Sequence, residues 1–358
     1  MKKHAIIPIF IPHRGCPNDC IFCNQRKITA RGDSVTPDDV HKTVETYMST
    51  LSGMNLETIE LSFFGGSFTG LPIEEQSAFL AVAKEYKDNG TIDKIHLSTR
   101  PDYINEEILD NLKSYGVDVI ELGVQSLAEP VLKASNRGHN AECVYEASAL
   151  IKEYGFTLGI QLMVGLPEDT LEYDLYSARE TVKIKPEIAR LYPTVVIKDT
   201  GLYDQMLCGK YVPMTEDDAV MRTARMYKIL TDAGINVIRV GLKSSDIISD
   251  EENTQGTFHP AFRQLVEGFL ARESIESQID DLYPGIEDFD NHKWDRCPVC
   301  AFVSNDKSRN NLFGHKQANK LYFENKYARL NIRYMTDRQL NLTLSDGEYL
   351  VLDISKGI

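Results

Sequence analysis

The stretch Cys16-Pro17-Asn18-Asp19-Cys20-Ile21-Phe22-Cys23 follows directly on the apolar run Ala5–Ile11 and puts three thiols within eight residues. Three soft donors in one short loop suit zinc or an iron–sulfur cluster. Structural zinc prefers four ligands, usually as two separated pairs, and His13 is the neighbour that would have to complete such a set. A 4Fe–4S cubane held by Cys16, Cys20 and Cys23 would instead keep one iron free of protein ligands. An open position of that kind marks catalytic rather than structural metal centres.

Whole-chain properties narrow the setting. The 358 residues suffice for one large domain, or a large one and a small one, and the 42% apolar and 26% charged content is ordinary for a globular protein. No apolar run approaches the roughly 20 residues that span a bilayer. The stretch behind Lys2-Lys3 is interrupted by Pro8 and Pro12 and offers no small-residue cleavage site, so it does not read as a signal peptide. Seven cysteines, odd in number and clustered, argue against a secreted disulfide framework. A cytoplasmic location without membrane association is the expectation. Net charge is −14 but uneven: residues 1–31 carry a local +5 and residues 291–340 a local +6. Two basic segments on an acidic body suit either a solvated mixed-charge surface or an anion-binding face.

Short apolar runs alternate with helical patterns. Ala5–Ile11, Thr58–Phe64, Lys94–Thr99, Val117–Val124, Thr157–Val164, Ile188–Val196 and Ile235–Val240 read as strands. Thr36, Asn105, Asn140 and Thr215 stand where helix N-caps belong, and Gly116, Gly155 and Gly234 where helices stop. Such alternation implies an α/β fold with parallel strands and outer helices; six or seven units suggest a full or partial (β/α) barrel, with a partial (β/α)6-type TIM barrel as the expectation and an open doubly wound sheet as the alternative. It ends near residue 245, which divides the chain into a core (1–245) and a small α+β C-terminal region (246–358). In that region His259–Ile279 reads as an amphipathic helix. Asp346-Gly347 reads as a hairpin turn between Leu340–Leu344 and Tyr349–Ile354.

In a (β/α) barrel, function collects at the C-terminal ends of the strands. The cysteine triplet follows strand 1. Strand 2 ends in Gly65-Gly66-Ser67, and the diglycine allows close backbone approach to a ligand. Ser98 closes strand 3, Gln125 and then Arg137 follow strand 4, and Gln161 and Met163 lie on strand 5. An unpaired buried amide costs about 1–3 kcal/mol, so polar residues at successive strand ends either satisfy one another or face a ligand.

The triplet, with the aromatic Phe22 before its last cysteine, resembles that of the radical S-adenosylmethionine (SAM) superfamily. The stretches GGSFTG, STRPDYI, ELGVQS, NRGH and GLPEDT resemble the radical SAM core of the Elongator catalytic subunit and, more distantly, oxygen-independent coproporphyrinogen III oxidase. The resemblance covers roughly residues 5–245. It implies that Cys16, Cys20 and Cys23 hold a 4Fe–4S cluster whose unique iron is chelated by the amino and carboxylate groups of SAM's methionine moiety. It further implies that Gly65 and Gly66 meet that moiety, that Ser98 and Gln125 lie along SAM, and that Arg137 approaches its carboxylate. Gln161 would meet the ribose and Met163 the adenine. Ser67 stands where many members carry an acid.

The implied reaction is reductive cleavage of SAM to a 5′-deoxyadenosyl radical, fed by a low-potential donor of flavodoxin or ferredoxin type. The implied substrate is tRNA, at a uridine. A small molecule, as the porphyrin resemblance suggests, or a peptide is the competing substrate class. No Q-x-x-G-x-G/A loop follows residue 245, so acetyl-CoA is not expected as a partner. Cys297 and Cys300 read as half a zinc site, a redox pair or incidental thiols. Cys143 and Cys208 read as bystanders, His259 as a helix cap, and Tyr192 as a core aromatic rather than a radical relay.

Overall fold

Strands β1 (His4–Ile11), β2 (Thr58–Gly65), β3 (Lys94–Thr99), β4 (Val119–Gln125), β5 (Thr157–Val164), β6 (Ile188–Pro193), β7 (Val195–Ile197), β8 (Asn236–Val240) and β9 (Thr254–Gly256) organise the larger part of the chain. All but β7 and β9 form one sheet in the order β1-β2-β3-β4-β5-β6-β8, every neighbouring pair parallel. Among the described residues β1 and β8 are not paired, so the sheet is a curled half-barrel rather than a closed one. The structure is a computed structural model and describes residues 4–11, 20–23, 35–242, 254–282, 299–306, 308–327, 331–336, 339 and 350–353. Two compact units result, Met1–Ala219 with Ile229–Phe258 and Val220–Lys228 with His259–Ile358.

Parallel neighbours need crossover connections, and helices Pro37–Leu51, Ile73–Asp88, Glu106–Ser114, Ala141–Glu153, Leu171–Ile184 and Glu216–Asp232 lie on them. Their starts are set locally. Thr36 and Asp39 form a reciprocal capping box, and the side chains of Asn105, Asn140 and Thr215 each accept a backbone N–H of the first turn.

The strands alternate with period two. Leu61, Ile95, Leu97, Ile120, Leu122, Leu158, Ile160, Leu162 and Leu191 are fully buried. Each stabilises the fold by about 1.5–3 kcal/mol before chain entropy is counted. The intervening residues point to the opposite face and are largely polar. That face lines two cavities, one at each end of the strands.

One expected strand is two. Ile188–Val196 breaks after Pro193, and β7 turns away to pair antiparallel with β9. Pro193 has no N–H to continue the ladder, while Thr194 donates both its N–H (2.9 Å) and its hydroxyl (2.7 Å) to the Val164 carbonyl.

The second unit contains helix Phe262–Leu282 and strands β10 (Val299–Ser304), β11 (Asn331–Thr336) and β12 (Leu350–Asp353), parallel in the order β11-β10-β12. Cys300, which the sequence paired with Cys297, is fully buried among Ile275, Ile279, Phe302 and Phe323. Cys297, the Asp346-Gly347 turn and Leu340–Leu344 lie outside the described residues. His259 caps its helix as expected, Nδ1 accepting from the Ala261 N–H at 3.0 Å, and Arg263 is taken up by Glu267 at 2.7 Å.

Candidate active site

The described part of the cysteine loop, Cys20–Cys23, is fixed by backbone bonds to distant segments. The Ile21 N–H donates to the Ser135 carbonyl (3.1 Å), and the Leu202 N–H donates to the Ile21 carbonyl (2.7 Å). The Ile21 side chain packs on Val196, Leu202 and Tyr211. A turn bond from the Cys23 N–H to the Cys20 carbonyl (2.9 Å) closes this piece of the loop. Cys16 lies outside the described residues.

Cys20, Phe22 and Cys23 open onto a cavity of about 250 Å³ at the C-terminal ends of the strands. Gly65, Gly66 and Ser67 line it from β2, and Ser98 from β3. Gln125 and Arg137 line it from the β4 end, and Gln161 and Met163 from β5. The structure thus brings Cys20, Phe22, Cys23 and the residues that the resemblance assigned to SAM to one cavity, while Cys143, Cys208, His259 and Cys300 do not line it.

Its polar groups are under tension. Gln125 has φ +72°, a left-handed backbone that non-glycine residues rarely adopt, at a register shift between Gly123 and Gln125. Its Oε1 accepts from Gln161 Nε2 at 3.0 Å. The Ser98 hydroxyl and the Arg137 Nε–H are buried without a hydrogen-bond partner among the described residues. Orphaned donors in a cavity are what a ligand with acceptor atoms would satisfy. Gly65 (φ +112°) brings its backbone against the Ile11 carbonyl, and no side chain fits between them. Two soft sulfur donors, a diglycine and unsatisfied donors around one cavity fit a thiolate-bound cluster with an amino-acid-like ligand beside it.

Sequence reading missed several lining residues. Arg100 sends Nη1 to within 3.6 Å of Cys20 Sγ, and Arg137 Nη1 lies at 3.1 Å. Tyr192, read as a core aromatic, lines the cavity, its hydroxyl accepting from Arg190 Nη1 at 3.3 Å. Burial raises its pKa. Glu121 lines the same cavity and belongs to a buried chain of charges: Arg190 Nε to Glu121 Oε2 2.6 Å, His96 Nε2 to Glu121 Oε2 3.7 Å, and His96 Nδ1 to Glu60 Oε1 2.8 Å. The detectable signal was one charged or titratable residue inside each of four strands, Glu60, His96, Glu121 and Arg190, which a dry apolar interior would not hold unpaired.

Within that chain, burial alone would raise the Glu60 pKa. The His96 hydrogen bond and charge, the Ser62 hydroxyl and the His4 charge together pull it down to about 2. A carboxyl depressed on folding adds stability that is complete above its unfolded pKa and is lost as pH falls toward the folded one. Glu60→Gln is therefore expected to cost on the order of 1–3 kcal/mol near pH 6. The gap to wild type should close as pH drops from about 4.5 toward 2. Urea unfolding of both proteins across that range measures it; a pH-independent gap would contradict the linkage.

The radical SAM superfamily model matches residues 10–178, and the Radical_SAM C-terminal domain model matches residues 186–272. The chain belongs to the radical SAM superfamily and is an enzyme of that class. Its relatives place it beside the Elongator catalytic subunit. It is 26% identical over 291 residues to the tRNA uridine(34) acetyltransferase of Methanocaldococcus infernus, covering 68% of this chain and 54% of that protein. It is 30% identical over 198 residues to Homo sapiens Elongator complex protein 3, covering 50% of this chain and 36% of that protein. The chain thus spans roughly a third to a half of these relatives' length. The fold is also that of the solved Methanocaldococcus infernus Elp3 with an N-terminal deletion, with a TM-score of 0.59 and 23% identity over 76% of this chain and 64% of the other. Among the described residues no helix is long and apolar enough to cross a membrane.

Proposed function

We propose that this chain holds a 4Fe–4S cluster on Cys16, Cys20 and Cys23, binds SAM in the adjoining cavity, and modifies a tRNA uridine. When bound, the cluster and SAM supply one-electron cleavage of the sulfonium S–C5′ bond and hence a 5′-deoxyadenosyl radical. The chain's own residues bind, orient and shelter. The Gly65-Gly66 backbone meets the methionine amino group, and the orphaned Arg137 Nε–H takes the carboxylate. Ser98 and Gln125 lie along the ligand, the Gln125–Gln161 pair presents amide donors to the ribose, and Met163 covers the adenine. The single observation that carries this reading is the gathering of Cys20, Cys23 and all these residues around one cavity.

The tRNA substrate is supported by the similarity to a tRNA uridine(34) acetyltransferase and to Elongator proteins. We assign substrate contact to the region after residue 245, and electron supply to a low-potential protein of flavodoxin or ferredoxin type in the cytoplasm. Anaerobic reconstitution followed by a SAM cleavage assay tests the reading. Release of 5′-deoxyadenosine is expected, stimulated by total tRNA and weakened by salt because phosphate contacts release counterions. Stimulation by a metabolite fraction instead would move the substrate to the small-molecule class. Zinc without iron or sulfide in anaerobically purified protein would end the radical reading.

A further inference from the structure

Two arginines converge on one sulfur. Arg137 Nη1 lies 3.1 Å and Arg100 Nη1 3.6 Å from Cys20 Sγ. All three residues are deeply buried, at 4% (Arg100), 5% (Arg137) and 5% (Cys20) exposure. Burying a guanidinium costs several kcal/mol unless its hydrogens are used, and both groups are held by built contacts. Arg100 donates from Nε to Asp102 Oδ1 (2.8 Å) and from Nη2 to Asp102 Oδ2 (2.9 Å). Its Nη2 also reaches the Arg137 carbonyl, and Arg137 Nη2 reaches the Gly123 carbonyl. These anchors do not involve the sulfur, so both forks are aimed at Cys20 in advance. A neutral thiol does not require two desolvated cations. A sulfur that gains negative charge does.

We infer that Arg100, positioned by Asp102, acts with Arg137 to set the reduction potential of the cluster that Cys20 ligates; the inference rests on the cluster reading above. When the oxidised cluster accepts one electron from the low-potential donor, no bond breaks and the cluster gains one negative charge. N–H···S donation and nearby positive charge stabilise that reduced form and raise the potential. The two halves of the ion pair act with opposite sign: the Arg100 guanidinium raises the potential, and the Asp102 carboxylate, on the far side and 24% exposed, lowers it.

The test is a redox titration of the reconstituted full chain followed by electron paramagnetic resonance, for wild type, Arg100→Gln and Asp102→Asn. At the wild-type midpoint the reduced-to-oxidised ratio is expected to fall about tenfold in Arg100→Gln, a downward shift of about 59 mV for one electron. It is expected to rise about two- to threefold in Asp102→Asn, whose carboxamide oxygen keeps one of the two bonds from Arg100 but carries no charge. Unchanged midpoints, or two shifts of the same sign as general loosening would produce, overturn the assignment. If Arg100→Gln takes up no cluster, Arg100→Lys replaces it, with a smaller downward shift expected and an unchanged midpoint overturning the assignment. Wild-type protein that binds no iron and sulfide would overturn the cluster reading itself, a separate failure scored before any titration.

Discussion

Replacing Cys20 with alanine is expected to reduce iron and sulfide loading and reductive 5′-deoxyadenosine release by at least about a hundredfold, since even outer-shell partners of a metal site cost ten- to a hundredfold when lost. The physical reason is a donor set with no spare ligand. On the proposed reading three cysteines leave one iron for SAM, and losing one of the three leaves a second iron without a protein ligand. The loss should be chemical and not a collapse of the fold. The loop is tied down by the backbone of Ile21 to Ser135 and Leu202, and by the Ile21 side chain against Val196, Leu202 and Tyr211. Alanine keeps all of these. The Arg100 and Arg137 guanidinium groups would lose an acceptor, so a small drop in melting temperature is expected. Iron and sulfide analysis, the visible chromophore and circular dichroism measure the three parts separately. Cys208→Ala, at an exposed position, is the control and should be indistinguishable from wild type. A Cys20→Ala protein with full chromophore and full cleavage would remove the basis for the whole reading.

The second large effect falls on Gly65. At φ +112° any side chain is strained, and a Cβ there would land on the Ile11 carbonyl oxygen, a backbone atom of β1. That carbonyl also accepts the Gly66 N–H at 3.1 Å, so it cannot retreat without losing the bond that closes the diglycine turn. Gly65→Ala is expected to cost about 3–4 kcal/mol, from backbone strain of about 1–3 kcal/mol plus displacement of a packed strand end. Gly165→Ala is the comparison. It too has positive φ (+79°), but its Cβ would meet the end of the flexible Met214 side chain. Its expected cost is about 1–2 kcal/mol, mostly backbone strain. Urea midpoints with unchanged slopes give both values. Equal losses at the two glycines would show that contact with the Ile11 carbonyl is not the cause.

Local signals carried much of the fold. Thr36, Asn105, Asn140 and Thr215 are the N-caps observed, because a short side-chain acceptor beside free N–H groups acts within four residues. Lys94–Thr99 and Thr157–Val164 are the strands observed, because apolar residues at every second position (Ile95 and Leu97; Leu158, Ile160 and Leu162) between turn residues leave few alternatives. The Ile188–Val196 run misled because its continuity in apolar character hides a change of partner. Whether Val195 stays beside β5 or leaves to pair with Gly256 depends on a segment about sixty residues away. Strand β10 went unread for a related reason: Cys297 and Cys300 drew attention to metal chemistry, whereas Cys300 serves the apolar packing of Phe302 and Phe323.

The sequence by itself determined the class: a three-cysteine loop after a first strand, a parallel α/β order, and a set of polar residues at successive strand ends. Those features are local or periodic, and short-range sterics, capping and alternation are enough to read them. Only the tertiary structure decided which of those residues meet. The approach of Arg100 and Arg137 to Cys20, and the Glu60–His96–Glu121–Arg190 chain beneath the cavity, join residues that lie up to 130 positions apart. Their meeting is set by the relative register of parallel strands and the twist of the sheet, which emerge from packing the whole half-barrel at once and leave no mark in any single stretch of chain.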